Sequence, residues 1–498
     1  MKVLPVNQDA KTLSDEMNRP SLIPLVTTKE GCENPADFYL SLREKYDASY
    51  LLESLTGPRE VSRYSIIGCQ PLIHLKIQDE CEVNGVPSVV RSSRERIEEK
   101  AGKVDELEIL KSAMFMDDMR FLGLNLPRYV LGVTGYVSYD FIRSLIDFNS
   151  KSVARDDLHH PILEFMLPSL VVVFDHLEER PYYASLMLLT EDSDFDEAYS
   201  KSLGELEGLV SHELEPQEVD QRQASVSSNM GKEDFEEGVR RIKKYIRAGD
   251  VIQTVFSRRI GLDPAPSLSS FYTELRRINP SPYMFFLDFP ELSVIGSSPE
   301  ALVRVQGRKV LTRPIAGTRR RGRNEEDDLA MERDLLADEK ERAEHVMLVD
   351  LGRNDIGRVA KFGSVEIPDF MKVEKYGDVQ HIVSTVTGEL QEDRDAFDAL
   401  RAIFPAGTVT GAPKVRAMEI IEELEPTRRG IYSGAVGSFS YTGDADFAIT
   451  IRTLTERDGM AQIQVGAGVV ADSMPWKEHY ETENKARSLL RAAGVEKC

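Results

Sequence analysis

The sequence predicts an α+β fold. Three observations carry that reading. β-Branched runs punctuated by glycine recur along the chain, amphipathic stretches of helical period lie among them, and the two kinds do not alternate regularly enough for a parallel α/β sheet. With 498 residues, 41% hydrophobic and 29% charged, the composition is that of a globular protein. The length suits two to four domains or one large intertwined one.

A helix is expected at 35–46, followed by strands at 64–68 (YSIIG), 130–137 (VLGVTGYV) and 169–174 (SLVVVF). Residues 211–232 are polar, lack aromatic side chains and contain proline and serine, which marks an exposed connection. The chain thus divides into an N-terminal region, 1–210, a linker, 211–232, and a second region, 233–498. The second region opens with an amphipathic helix at 233–248 that sets Phe235, Val239, Ile242, Tyr245 and Ile246 on one side and ends at Gly249-Asp250. Further strands are expected at 251–260, 284–288, 301–305, 434–441, 447–454 and 460–470, and helices at 326–351, 397–403, 414–425 and 477–492.

A formal charge of −22 argues against nucleic acid or an anionic membrane surface as the main partner. An anionic substrate would need a local cationic pocket to overcome that field. No window reaches membrane-spanning length, and residues 1–30 lack a signal-like apolar core. Cys32, Cys69, Cys81 and Cys498 form no CxxC pair and are too few to staple the chain, so a reducing, cytoplasmic setting is expected.

Chemistry concentrates in two acidic pairs, Glu341/Glu344 and Glu478/Glu481, each spaced to share one helix face. Either alone reads as a solvated acidic face. If the faces converge, four like charges call for a divalent cation with oxygen ligands. Lys485 follows Glu481 by one turn, suiting either an anionic substrate beside the metal or an i,i+4 salt bridge.

The small residues of GAGVV, 466–470, would let backbone N–H groups approach an oxyanion. The segment GTVTGAPK, 407–414, offers hydroxyls and a helix N-terminus to an anion, without the spacing of a P-loop. Arg452 interrupts an apolar strand and needs a partner, either a substrate carboxylate or a structural salt bridge. Tyr432 lies in a glycine-flanked turn. His381, one of eight histidines, opens an apolar run, where a satisfied core role competes with catalysis.

Taken together, GDVIQ (249–253), GSSPE (296–300), RPIAGTR (313–319), ERAEH (341–345), DLGRND (350–355), GTVTGAPK and GAGVV resemble the chorismate-utilising enzymes, specifically the anthranilate synthase component I group. The resemblance is dense over 233–492 and looser before it. It implies large antiparallel sheets packed face to face with helices outside, an α/β/β/α-like sandwich in which the N-terminal region is intertwined with the C-terminal sheets. Within the family, Ala316 stands where aminodeoxychorismate synthases carry a nucleophilic lysine, and it cannot form a covalent intermediate. Gln253 stands near the lysine that activates water in isochorismate and salicylate synthases, and it is no base. The resemblance therefore favours direct attack by ammonia. Aminodeoxychorismate synthase component I is the alternative within the family, and a catalytically silent tryptophan sensor is the alternative outside enzymes.

The resemblance also implies roles. Mg²⁺ is held by Glu344 and Glu481, with Glu341 and Glu478 close by. Gly466, Ala467, Gly468 and Lys485 hold the ring carboxylate of chorismate, Arg452 and Tyr432 the enolpyruvyl carboxylate, and Gly317, Thr318 and Thr408 line the ring. Glu341 is the expected acid for the departing hydroxyl, because crowding by carboxylates raises a glutamate pKa. His381 is the expected base or orienting group for aromatisation, and Glu300 positions ammonia or the departing hydroxyl. Glu53 and Ser54, with Pro282, Tyr283 and Met284, resemble the paired segments that bind feedback-inhibiting tryptophan, whose indole suits an apolar slot. The chain lacks a glutaminase-like cysteine setting, so ammonia is expected from a separate glutamine amidotransferase subunit, component II.

Overall fold

The structure is a computed structural model, which describes residues 3–16, 20–31, 33–56, 63–100, 102, 104–121, 130–148, 154–191, 193–214, 224–375 and 379–495. Cys32, Cys498 and the linker residues 215–223 lie outside the described residues. Of the other two cysteines, Cys69 is buried and Cys81 exposed.

Two long strands, Tyr64–Ile77 and Leu163–Asp175, pair with each other along their whole length and belong to two sheets at once. One sheet runs from Arg180–Leu189 through this pair to Ser49–Glu53, Tyr283–Phe289, Leu292–Ser298, Thr453–Arg457, Met460–Val469 and Gln253–Asp263. The other continues from Leu163–Asp175 through Gly132–Val137, Ala435–Ser440, Ala445–Ile449, Ala301–Gln306, Lys309–Thr312 and Val379–Glu389. Strands Ile315–Arg320 and Glu366–Lys375 both pair with the last of these. Every pairing on these paths is antiparallel, as an α+β fold requires.

Period-two alternation sorts side chains between the faces. In Tyr283–Phe289, Phe285, Leu287 and Phe289 enter one core while Met284 and Phe286 enter another. The first set faces the opposite sheet, and Phe289 meets Tyr136 across the gap at 6.2 Å between ring centres. The second set packs under the helices Pro35–Leu42, Leu268–Ile278 and Pro475–Ala492. On the far side of the other sheet, Phe397 of helix Ala396–Ile403 stacks on Phe439 at 3.9 Å. The layers are therefore helix, sheet, sheet, helix.

Three local expectations are corrected. The helix expected at 326–351 is two helices, Glu325–Ala337 and Glu339–Gly357, because Asp338 is extended (φ −72°, ψ 107°) and caps the second by accepting from the N–H groups of Lys340 and Glu341. The strand expected at 447–454 is broken between Ile449 and Thr453, where Arg452 takes a left-handed φ of 53°. Part of the polar connection, Ser225–Ser228, is an edge strand on Gln253–Asp263. Among the described residues, no helix is long and apolar enough to cross a membrane.

Candidate active site

The two acidic helices, Glu339–Gly357 and Pro475–Ala492, converge. Glu344 is raised above its ordinary pKa by burial and then by the negative charge of Glu341, with Glu481 of the other helix adding to it. Burial likewise raises Glu478, and Glu481 contributes to that shift. Lys340 acts on both Glu344 and Glu478 in the opposite sense, so it stands near both helices.

Between the helices runs the end of strand Met460–Val469. The glycine-rich segment is the last part of this strand, paired Gly466 to Ser257 and Gly468 to Val255. Small residues are needed there for close approach. A Cβ on Gly468 would stand 2.7 Å from Gln253 Nε2 and 3.8 Å from Glu344 Oε1. A Cβ on Gly466 would stand 2.8 Å from the Tyr432 hydroxyl. Ala467 points the other way, into a core beneath helix Lys232–Ala248, so only its backbone faces the site.

Lys485 makes the i,i+4 salt bridge that its spacing offered. Its ammonium lies 2.7 Å from Glu481 Oε1 and donates to the Gly466 carbonyl at 2.9 Å. Gln253 donates to Glu344 Oε1 at 3.2 Å. Arg452 has no salt bridge to a carboxylate among the described residues, although Glu481 and the Tyr432 ring lie near enough to act on it. Burial lowers its pKa. A half-buried guanidinium without a counter-ion is set to receive an anionic ligand.

The opposite wall comes from Ile315–Arg320 and Val379–Glu389. Gly317 is left-handed (φ 72°), and a Cβ there would stand 3.2 Å from Glu341 Oε2. His381 Nδ1 lies 3.2 Å from the Gly317 carbonyl and 3.0 Å from Thr318 Oγ1. A carbonyl can only accept, so the Nδ1 position carries hydrogen and Nε2 is the basic nitrogen of the neutral ring. Burial holds the His381 pKa below its ordinary value, and Arg452 pushes in the same direction. The imidazole is therefore neutral near pH 7.

Glu300 is 6% exposed and its carboxyl is pushed up to about 8 by burial. The neighbouring Thr408 hydroxyl, the Ile315 N–H and the charge of Lys485 offset this only in part. The Thr408 hydroxyl is buried beside that carboxyl. Glu300 is thus a neutral acid inside a site otherwise rich in carboxylates.

Sequence reasoning missed two contributors. Arg319 clamps Asp334 at 2.7 Å, Asp338 at 2.8 Å and Glu341 at 3.2 Å, tying its strand to both halves of the broken helix. Its place in the RPIAGTR segment was the available signal. Gln253, read only as a residue that cannot be a base, touches Glu344. Lys414, at the end of the segment offered to an anion, turns inward to Asp355 at 2.6 Å and the Ile403 carbonyl at 2.9 Å.

The residues expected to bind an inhibitor meet elsewhere. Glu53, Ser54, Pro282, Tyr283 and Met284 line a cavity of about 100 Å³ between the sheets, with Arg304 and Asp446 opposite. Tyr283 donates to Asp446 at 3.0 Å and Arg304 pairs with Asp446 at 2.7 Å. The Glu53 carboxylate is engaged by Tyr272 at 2.7 Å and Arg276 at 3.0 Å, so it is already neutralised.

Among the described residues, no three His, Cys, Asp or Glu side chains converge as a metal cluster. Magnesium takes one or two protein carboxylates and completes its octahedron with water and ligand oxygens. Two carboxylates on facing helices, one of them buried among like charges, fit such an ion.

The profile of the family described as chorismate binding enzyme matches residues 31–491. The chain is 41% identical to an anthranilate synthase component 1 from Acetivibrio thermocellus, over 98% of each chain. It is 42% identical to one from Aquifex aeolicus, over 98% of this chain and 97% of that one. Among solved structures, the crystal structure of anthranilate synthase component I from Streptococcus pneumoniae superposes with a TM-score of 0.72. It is 35% identical and covers 86% of this chain and 92% of that one.

Proposed function

The chain belongs to the chorismate binding enzymes, and from that premise we propose that it converts chorismate and ammonia to anthranilate and pyruvate, the first step toward tryptophan. The observation that carries this reading is the approach of Glu344 and Glu481, with Lys485, Arg452 and a neutral Glu300 close enough to act on one another. Chorismate is a dicarboxylate, and Lys485 and Arg452 offer one cation for each carboxylate.

Glu344 and Glu481 would hold Mg²⁺, with Glu341 and Glu478 beside them. When bound, the ion neutralises the ring carboxylate and makes the ring a better electron acceptor. Lys485 and the backbone of Gly466 to Gly468 flank that carboxylate. Arg452 and the Tyr432 hydroxyl receive the enolpyruvyl carboxylate, and Gly317, Thr318 and Thr408 bound the ring.

Ammonia adds to the ring carbon beside the carboxylate-bearing one, the double bonds shift, and the hydroxyl para to the carboxylate leaves as water. That departure needs a proton. Glu341 was the expected donor, but its carboxylate accepts from Arg319. Glu300 is the better acid because burial keeps it protonated below about pH 8. In the second step the proton at the aminated carbon is removed, the enolpyruvyl C–O bond breaks and the ring becomes aromatic. Neutral His381, oriented by the Gly317 carbonyl, supplies the base for that proton.

Ammonia would be delivered from glutamine by a separate amidotransferase subunit, in the cytoplasm. The cavity between the sheets would bind tryptophan as a feedback inhibitor. The deciding experiment incubates the chain with chorismate, Mg²⁺ and ammonium salt and follows anthranilate fluorescence. Anthranilate should form with ammonium and not with glutamine. Aminodeoxychorismate as the final product would overturn the reaction, and glutamine-dependent turnover by the chain alone would overturn the subunit claim.

A further inference from the structure

Arg429 is among the largest fully buried side chains of the protein, 2% exposed, and it makes no contact with any of the acidic residues at the site. Its partner is Glu425, 4% exposed, which accepts from Arg429 Nε at 2.9 Å and Nη2 at 2.7 Å. Replacing such a pair with apolar side chains is commonly neutral or stabilising, so stability alone is a poor reason for it. The remaining contacts give another. Arg429 Nη1 donates to the Val409 carbonyl at 2.7 Å and to Ser433 Oγ at 3.3 Å, and Nη2 donates to the Val255 carbonyl at 2.9 Å. The guanidinium also lies 5.6 Å from the centre of the Tyr432 ring. Glu425 Oε1 accepts from both the N–H and the hydroxyl of Ser257, and that hydroxyl in turn accepts from Gln464 Nε2 at 2.8 Å.

These are the segments that carry the substrate-facing groups. Val409 follows Thr408, Ser433 follows Tyr432, and Val255, Ser257 and Gln464 fix the strand pair that presents Gly466 and Gly468. Ser433 sits at φ 66°, a conformation a serine rarely adopts, and the Arg429 contact helps hold it there. Three loops and strands are thereby referred to one planar, fixed-charge group. A lysine could not replace it, since a single ammonium cannot span both carbonyls and the carboxylate.

We propose that the Arg429–Glu425 pair is a positioning element that sets Thr408, Tyr432 and the glycine strand relative to one another and so determines the affinity for the substrate. This rests on the proposed chorismate site. The pair touches no substrate; it acts through the residues that do.

The test compares wild type with Arg429→Lys and with the double variant Arg429→Met/Glu425→Leu. Three quantities are read: thermal unfolding, equilibrium binding of chorismate with Mg²⁺ but no ammonium, and steady-state kinetics with ammonium. Both variants are expected to fold, with the chorismate Kd and KM raised at least about tenfold and kcat within about threefold of wild type. A merely structural pair would instead lower the fraction of active protein, leaving KM unchanged. Wild-type Kd in either folded variant overturns the proposal, and so does failure of both variants to fold. Wild-type protein that binds chorismate with Mg²⁺ yet releases no anthranilate would overturn the proposed reaction while leaving this proposal intact.

Discussion

Lys485 and Glu481 form an i,i+4 ion pair at 2.7 Å, and the same ammonium reaches the Gly466 carbonyl at 2.9 Å. A proposed metal ligand, a lysine and the strand that faces the substrate are thus one unit. Neutralising Glu481 should release the lysine as well as remove a ligand. Glu481→Gln and Glu344→Gln are each expected to raise the Mg²⁺ concentration for half-maximal activity by about tenfold or more. Glu481→Gln should also raise the KM for chorismate. A magnesium titration of anthranilate formation checks both, and unchanged metal dependence in either variant removes that residue from the ligand pair.

Glu300 gives the pH dependence. Its folded-state pKa of about 8 lies above the ordinary value of 4.5, so the folded protein keeps a proton that the unfolded chain loses. The stabilisation linked to that proton is complete below about pH 4.5 and is lost as pH rises through about 8. Turnover per unit of free ammonia should fall over the same upper range, because the acid for the departing hydroxyl ionises. Glu300→Gln should remove that falling limb and reduce kcat by roughly 10²–10⁴-fold, the usual contribution of a general acid. A variant that keeps the wild-type limb would assign it to another group.

What the sequence made legible, and what it hid, follows from how local each signal is. Strands such as 64–68 and 284–288 announce themselves by β-branched and aromatic content, and Gly249 ends its helix in the expected left-handed conformation (φ 85°). The ExxE spacing fixes that two carboxylates share a face. Their convergence depends on strands between them and comes from the family resemblance, not from the spacing. The break at Asp338 was invisible because one residue suffices to cap a new helix inside a charged run. The inward turn of Lys414 was hidden for a related reason, since its partner Asp355 is distant in sequence. The raised Glu300 carboxyl was equally hidden, because the burial that causes it is tertiary and leaves no local pattern around residue 300.

His381 should separate the two proposed steps. With Nδ1 turned to the Gly317 carbonyl, its Nε2 is the basic position, and burial keeps the ring neutral near pH 7. His381→Phe should leave ammonia addition within about tenfold of wild type while slowing pyruvate release by roughly 10²-fold or more. Quenched reactions resolved by chromatography should then contain an aminated, non-aromatic compound that still bears the enolpyruvyl group. Loss of both steps together, with no such compound, would count against the division.

The cavity between the sheets makes the last prediction. Ser54 Oγ is buried there and has no hydrogen-bond partner among the described residues, which is unfavourable unless a ligand completes it. Glu53, by contrast, is fully occupied by Tyr272 and Arg276, so it supports the wall without needing to touch a ligand. Removing an unsatisfied hydroxyl costs the empty protein nothing, so Ser54→Ala should unfold at the wild-type temperature or slightly above it. If the cavity binds tryptophan, the lost contact should weaken inhibition by about 1 kcal/mol, or roughly five- to tenfold in the inhibition constant. Uninhibited turnover should stay within about twofold, because Ser54 lies away from the acidic helices. Glu53→Gln should behave oppositely, lowering the unfolding temperature through Arg276, which would then face no full counter-charge. Inhibition by tryptophan that is unchanged in Ser54→Ala would place the inhibitor somewhere other than this cavity.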